Sequence, residues 1–210
     1  MISNCFLCTI IVLKVPNSKK FVRTFDKERS VFAPWKQDTP RLLADAFELD
    51  WSHTKVPKIV KNQEDVSRKD SVYPRYIRVV NPLFSLQLAA LKGYLQSHYE
   101  FIKECYLELQ YNSVYPFVNK IELASFCEKA KLIDERLNMA NCDLLFVSCN
   151  SNSSGIKAKT GLIRCEFLEY LVRLANFKYL QTGQVTTFLD AAKIVIEKYM
   201  KVNVQPLPWQ

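Results

Sequence analysis

The sequence predicts an all-α protein in which a pair of helix-loop-helix units follows an extended, mostly irregular N-terminal arm. Three observations predict it. From Leu83 onward apolar residues recur at spacings of three and four; the stretches around Glu122 and Glu166 repeat one apolar pattern; and prolines and mixed charge interrupt residues 14–82. With 210 residues, 49% of them hydrophobic, the chain has enough apolar mass for a core of its own.

Taken in order, Cys5 to Leu13 is an apolar run with no basic residue before it, the first being Lys14. A secretory leader needs that charge ahead of the run, and a membrane span needs about 20 apolar residues, so the segment reads as a buried strand or a docked segment of an intracellular, soluble protein. Residues 14–82 form the arm. Asp38, Thr39 and Pro40 supply a helix cap and a first-turn proline, and Leu42, Leu43, Ala46, Phe47 and Trp51 follow as one apolar stripe. Pro57, the charge-mixed run from Lys58 to Asp70, Pro74 and Pro82 then argue against further regular structure. The aromatic anchors Phe32, Trp35, Phe47, Trp51, Tyr73 and Tyr76 are too sparse for a separate core, so the arm is expected to lie along the body or along a partner.

The body spans residues 83–203, with 204–210 as a tail. Leu91, Leu95, Tyr99, Ile102, Tyr106 and Leu109 mark a long amphipathic helix ending near Gln110. Further helices are expected over about 120–132, about 141–149 with Asn141 as cap, about 164–179, and about 187–201, where Thr187 and Asp190 resemble a capping box.

Composition excludes much of enzymology. Only 4 Gly occur, and the glycine-rich phosphate loops and the G-x-S-x-G nucleophile elbow are missing. There are 2 His, and the only adjacent acids of the body, Asp134 and Glu135, read as a helix-end charge cluster. Cys5 and Cys8 have metal-ligand spacing but no second pair or nearby His, and 7 cysteines cannot all pair, so small buried thiols in a reducing compartment are expected. No cofactor and no metal is predicted.

The charge lies mainly in the arm. Residues 1–81 hold 15 basic and 9 acidic side chains, whereas 82–139 hold 6 and 7. This excess points to a polyanionic surface as partner, with Lys19, Lys20, Arg23, Trp35 and Trp51 as the contacting residues. Phe21 and Phe25 interleaved with Lys19, Lys20, Arg23, Lys27 and Arg29 could stack bases, but acids interrupt the patch and no RNA or DNA module accompanies it, so nucleic acid is not the expected partner.

Laying Glu122 on Glu166 brings Phe117 to Cys127 into register with Gly161 to Leu171. In each, an apolar residue stands four before the Glu (Val118, Leu162), and others follow it at one, four and five positions. This is the pattern of an EF-hand exit, in which the residue four before the loop-closing Glu pairs with its counterpart in the sister hand. Asn150, Asn152 and Ser154, followed by Gly155, match the first half of a calcium loop, but Glu166 arrives five residues late. The first loop has Pro116 where Gly should stand. Without a carboxylate before Glu166, and with Lys157 and Lys159 adding repulsion, the loops read as vestigial.

Asn141 to Asn150, the expanded polar loop, Leu162 to Ala175 and Lys178-Tyr179 resemble the degenerate EF-hand-like module of structural proteins in motile cilia and flagella. Phe47 to Trp51 and Tyr99 to Tyr106 are similar to segments that precede that module, so the resemblance covers about residues 40–200. It implies a non-enzymatic scaffold of the cytoplasmic cytoskeleton, in the ciliary axoneme. Its expected partners are tubulin, the doublet microtubule or other axonemal proteins, with no small-molecule substrate and no membrane. The alternative is a calcium-responsive regulator whose hands open to bind a partner helix.

Overall fold

A computed structural model describes residues 39–69, 82–113, 116–150 and 161–204, and these are predominantly helical. Among them no strand occurs. Among the described residues nine α-helices follow one another: α1 (Pro40–His53), α2 (Val56–Lys69), α3 (Pro82–Ser97), α4 (Tyr99–Tyr111), α5 (Lys120–Lys129), α6 (Met139–Asn150), α7 (Arg164–Ala175), α8 (Phe188–Lys193) and the short α9 (Lys201–Asn203). Two of them run on as π-helix, α7 over Asn176–Leu180 and α8 over Ile194–Met200.

Helix starts follow side-chain chemistry. Thr39 caps α1, its Oγ1 accepting from Leu42 N at 3.3 Å, with Pro40 just inside. Asn119 caps α5 through Glu122 N at 2.9 Å. The cap of α6 is Asn138, three residues before the expected Asn141, whose backbone N–H it accepts at 2.9 Å. At the end of α5, Lys131 takes φ 55°. Leu132 N then donates to Cys127 O and Lys131 N to Glu128 O, both at 2.9 Å, the pattern of a Schellman stop. The helix therefore ends before the expected residue 132.

The long helix expected from Leu83 to Gln110 is two. Ser97 Oγ donates to Tyr94 O at 2.8 Å, and His98 Nδ1 lies 3.0 Å from the same oxygen. That carbonyl would otherwise accept from His98 N, which bonds Leu95 O at 3.2 Å instead. Side chains compete with the helical ladder there, and the chain turns.

The arm reading needs correction over residues 56–69, which form α2 rather than irregular structure. Phe47 of α1 with Val56 and Val60 of α2 are buried in the same core as Leu91, Tyr99 and Phe167, so the expected boundary at residue 82 does not separate them from the body. Val204, expected to open the tail, is buried too.

At the centre lies α7, which packs against α1, α2, α4, α6 and α8. Every residue from Cys165 to Val172 is buried. With its apolar side chains and the carboxylates Glu166 and Glu169 all buried, this stretch must be enclosed on all sides, and the other helices supply that enclosure. Among the described residues no helix is long and apolar enough to cross a membrane.

Candidate functional site

Val118 and Leu162 form an isolated antiparallel bridge between the segment preceding α5 and the segment preceding α7. Val118 N donates to Leu162 O at 2.9 Å and Leu162 N to Val118 O at 2.8 Å. Both side chains are buried, and the Tyr106 hydroxyl closes the flank by donating to Pro116 O at 2.8 Å. Gly161 is required here for close approach: a Cβ on it would stand 2.3 Å from Val118 O.

Glu166, expected from the sequence at a loop-closing position, turns one oxygen back onto its own helix. Its Oε2 accepts from Ile163 N at 3.0 Å, which satisfies a donor at the start of α7. One turn on, Glu169 is also buried, and its two oxygens serve different helices. Oε2 accepts from Lys55 N, the cap position of α2, at 2.8 Å, while Oε1 takes Arg173 Nε at 2.8 Å. A third buried carboxylate, Asp50 of α1, receives the Tyr99 hydroxyl and the Arg164 guanidinium, whose Nη2 lies 3.1 Å from Oδ1. Burial first, then the bond to Asp50, pushes the Tyr99 hydroxyl well above its ordinary pKa, so it remains a donor. These carboxylates tie α1 and α2 to α7.

The connection between α5 and α6 is held by Lys178, which is buried in the π-helical segment. Its Nζ donates to Leu132 O and stands 2.9 Å from Asp134 Oδ2. The same ammonium lies 5.0 Å from the Tyr199 ring centroid. Asp134 Oδ1 accepts from Arg136 N and Leu137 N at 3.0 and 2.9 Å. Asp134 and Glu135, read as a helix-end charge pair, thus sit in a turn that Lys178 organises.

A cavity of about 100 Å³ between α4 and α5 is lined by Cys105, Glu108, Phe126, Lys129 and Val204. That is a fraction of an ordinary ligand cleft, which takes about 300–1,000 Å³. Among the described residues, no group of three His, Cys, Asp or Glu side chains is placed to hold a metal ion.

Of the residues expected to act, Asn150 is half-buried at the end of α6, and Glu166 is 8% exposed. Trp51 stacks on Phe47, with ring centroids 5.9 Å apart, and packs on the protein's own core. Lys19, Lys20, Arg23, Trp35, Asn152 and Ser154 lie outside the described residues. Asp50, Tyr99, Arg164, Glu169 and Lys178 were not singled out by the sequence reading as polar partners. Their signal was a charge inside an apolar stripe: Asp50 shares the face of Phe47, and Glu169 sits within the run Phe167 to Val172.

No protein-family model matches the chain, and no curated protein and no solved structure is significantly similar to it.

Proposed function

We propose that this chain is a non-enzymatic structural protein of the ciliary axoneme. In this reading it is an EF-hand-like scaffold that binds microtubules or microtubule-attached complexes independently of calcium. α4 and α5 form the first helix-loop-helix unit, α6 and α7 the second. The observation that carries the reading is the bridge between Val118 and Leu162, the two residues four before the paired Glu122 and Glu166, combined with the use of Glu166 at the start of its own helix. Pairing through such a bridge supports an EF-hand-like ancestry, and a loop-closing Glu engaged on a backbone N–H supports a calcium-free role.

The packing of α1 and α2 favours a constitutive scaffold over a switch. A calcium sensor opens to expose an apolar groove for a partner helix. Here α1 lies on α4 and α7, with Phe47 edge-on to Tyr99 at 5.3 Å, and α2 lies on α7, so the chain's own helices cover apolar faces of the pair. The axonemal setting rests on the family resemblance, and the basic excess of residues 1–81 supplies the attraction to an acidic lattice.

Co-sedimentation of the purified chain with polymerised microtubules, at low and moderate salt and with or without calcium, tests the proposal. The expected result is calcium-independent pelleting that weakens with salt and on charge reversal of Lys19, Lys20 and Arg23. Absence of pelleting at low salt would refute the microtubule contact, and pelleting only with calcium would refute the calcium-independent role.

A further inference from the structure

We propose that the outer face of α6, with the start of α5 beside it, is a self-association surface on which a second copy of this chain docks to form a two-fold symmetric dimer.

α6 is apolar on two opposite faces. Cys142, Phe146 and Cys149 are buried and point into the core. Ala140, Leu144 and Val147, spaced by four and three residues, share the other face and are exposed, Leu144 at 67% and Val147 at 59%. A surface helix ordinarily carries charged and polar side chains there, yet Asp143 is the one charged residue in the twelve of α6. The exposed apolar surface includes α5. Lys120 Nζ donates to Asp143 Oδ2 at 2.8 Å, which holds the start of α5 beside the middle of α6, and Ile121, next in the chain, is 75% exposed. Large apolar side chains gathered in this way, with a polar rim, mark a protein interaction surface.

Charge identifies the occupant. The chain carries +8, but α5 and α6 together set Lys120 and Lys129 against Glu122, Glu128 and Asp143. An acidic lattice, the partner proposed for the basic arm, finds no attraction on this face. A surface that meets its own copy across a two-fold axis must be complementary to itself. This one is: the stripe is uncharged, and its rim holds one charge of each sign, Lys120 and Asp143, both partly exposed. With the two α6 helices antiparallel and the axis at Leu144, Ala140 of one copy faces Val147 of the other, small against large. The Lys120–Asp143 pairs of the two copies then close the rim as an alternating set of four charges.

Sedimentation equilibrium of the full chain in reductant, over a range of concentrations, tests the surface. The expected result is a reversible monomer–dimer equilibrium without higher species, because a two-fold contact closes. Leu144→Asp and Val147→Asp should each weaken it at least about ten-fold. Leu86→Asp, at an equally exposed leucine of α3, should leave it unchanged. All three side chains are exposed, so the thermal midpoint of dilute protein should not move. A parent chain that stays monomeric up to about 100 μM overturns the proposal and leaves the face to a different protein. So does a dimer that Leu144→Asp and Val147→Asp leave intact, a dimer that Leu86→Asp weakens equally, or open-ended assembly.

Discussion

Replacing Gly161 by alanine puts a methyl carbon 2.3 Å from the Val118 carbonyl oxygen and 2.7 Å from its carbon. A carbon–oxygen contact tolerates about 3.3 Å, so the two segments must part by about 1 Å. The obstacle is backbone on both sides, and no side chain can swing away to relieve it. The bridge bonds of 2.9 and 2.8 Å then exceed the hydrogen-bond range, which ends at about 3.2 Å. Val118 and Leu162 are each 0% exposed, so water does not replace those bonds. Losing both costs about 2–4 kcal/mol, and the stiffer unfolded chain returns about 0.4–1 kcal/mol. The net expectation is a loss of about 2–3 kcal/mol, a drop in Tm of about 4–12 °C for a domain of this size. Urea and thermal unfolding measure it, with Gly93→Ala as companion. Gly93 lies within α3 with nothing within 4 Å of a built Cβ, so alanine there should stabilise by about 0.5–1 kcal/mol. A Gly161→Ala protein as stable as its parent would refute the reasoning, as would equal shifts for the two variants.

Phe167 is fully buried, 5.8 Å from the Tyr106 ring and 5.7 Å from Phe126, so Phe167→Ala should cost about 3–5 kcal/mol; an unchanged thermal midpoint would sink that assignment. Glu166→Ala removes the acceptor for Ile163 N and should cost about 0.5–2 kcal/mol, equally with and without calcium. Calcium that raised Tm of the parent but not of the variant would make the carboxylate a ligand instead. At Asp134 burial raises the carboxyl pKa, but the bonds from Lys178, Leu137 N and Arg136 N outweigh it and hold it below the ordinary value. The folded carboxylate therefore binds a proton less readily than the unfolded one. Its stabilisation is present above the ordinary pKa of about 3.9 and is lost as pH falls through the lower folded value. Because the side chain is 43% exposed, the contribution is at most about 1 kcal/mol. Asp134→Asn should flatten the acid limb of the urea midpoint measured between pH 3 and 6, and parallel limbs would contradict this account.

What could be read in the sequence was what neighbours along the chain determine. The apolar period of α4, α5 and α7, the Pro40 start and the pairing of Val118 with Leu162 each rest on residues within a turn or two of one another, or on one spacing repeated. α2 was not legible for the opposite reason. Val56, Ile59, Val60 and Val66 are four aliphatic residues among charged and polar ones, too few to hold a helix alone. What holds it is remote: the core receives Val56 and Val60, and Glu169, 114 residues along the chain, accepts the Lys55 N–H. The break at His98 failed differently, because Ser97 and His98 fit the helical period while their side chains take the carbonyl that the ladder needs.

The polar groups of the site follow the same division. Glu166 stood out because its apolar surroundings match those of Glu122, yet the register marks it only as a vestigial loop-closing position and says nothing of the Ile163 N–H it accepts. Glu169 carried no such register, although it does comparable work for a second helix. Both answer one physical demand: the first N–H groups of a helix need acceptors, and a buried helix end has no water to provide them. A calcium loop meets that demand while its carboxylates also hold an ion. In this chain the α7 carboxylates reach helix starts directly, Glu166 that of α7 and Glu169 that of α2. Their burial is therefore compatible with a fixed scaffold, and removing either should loosen a helix rather than uncouple a metal.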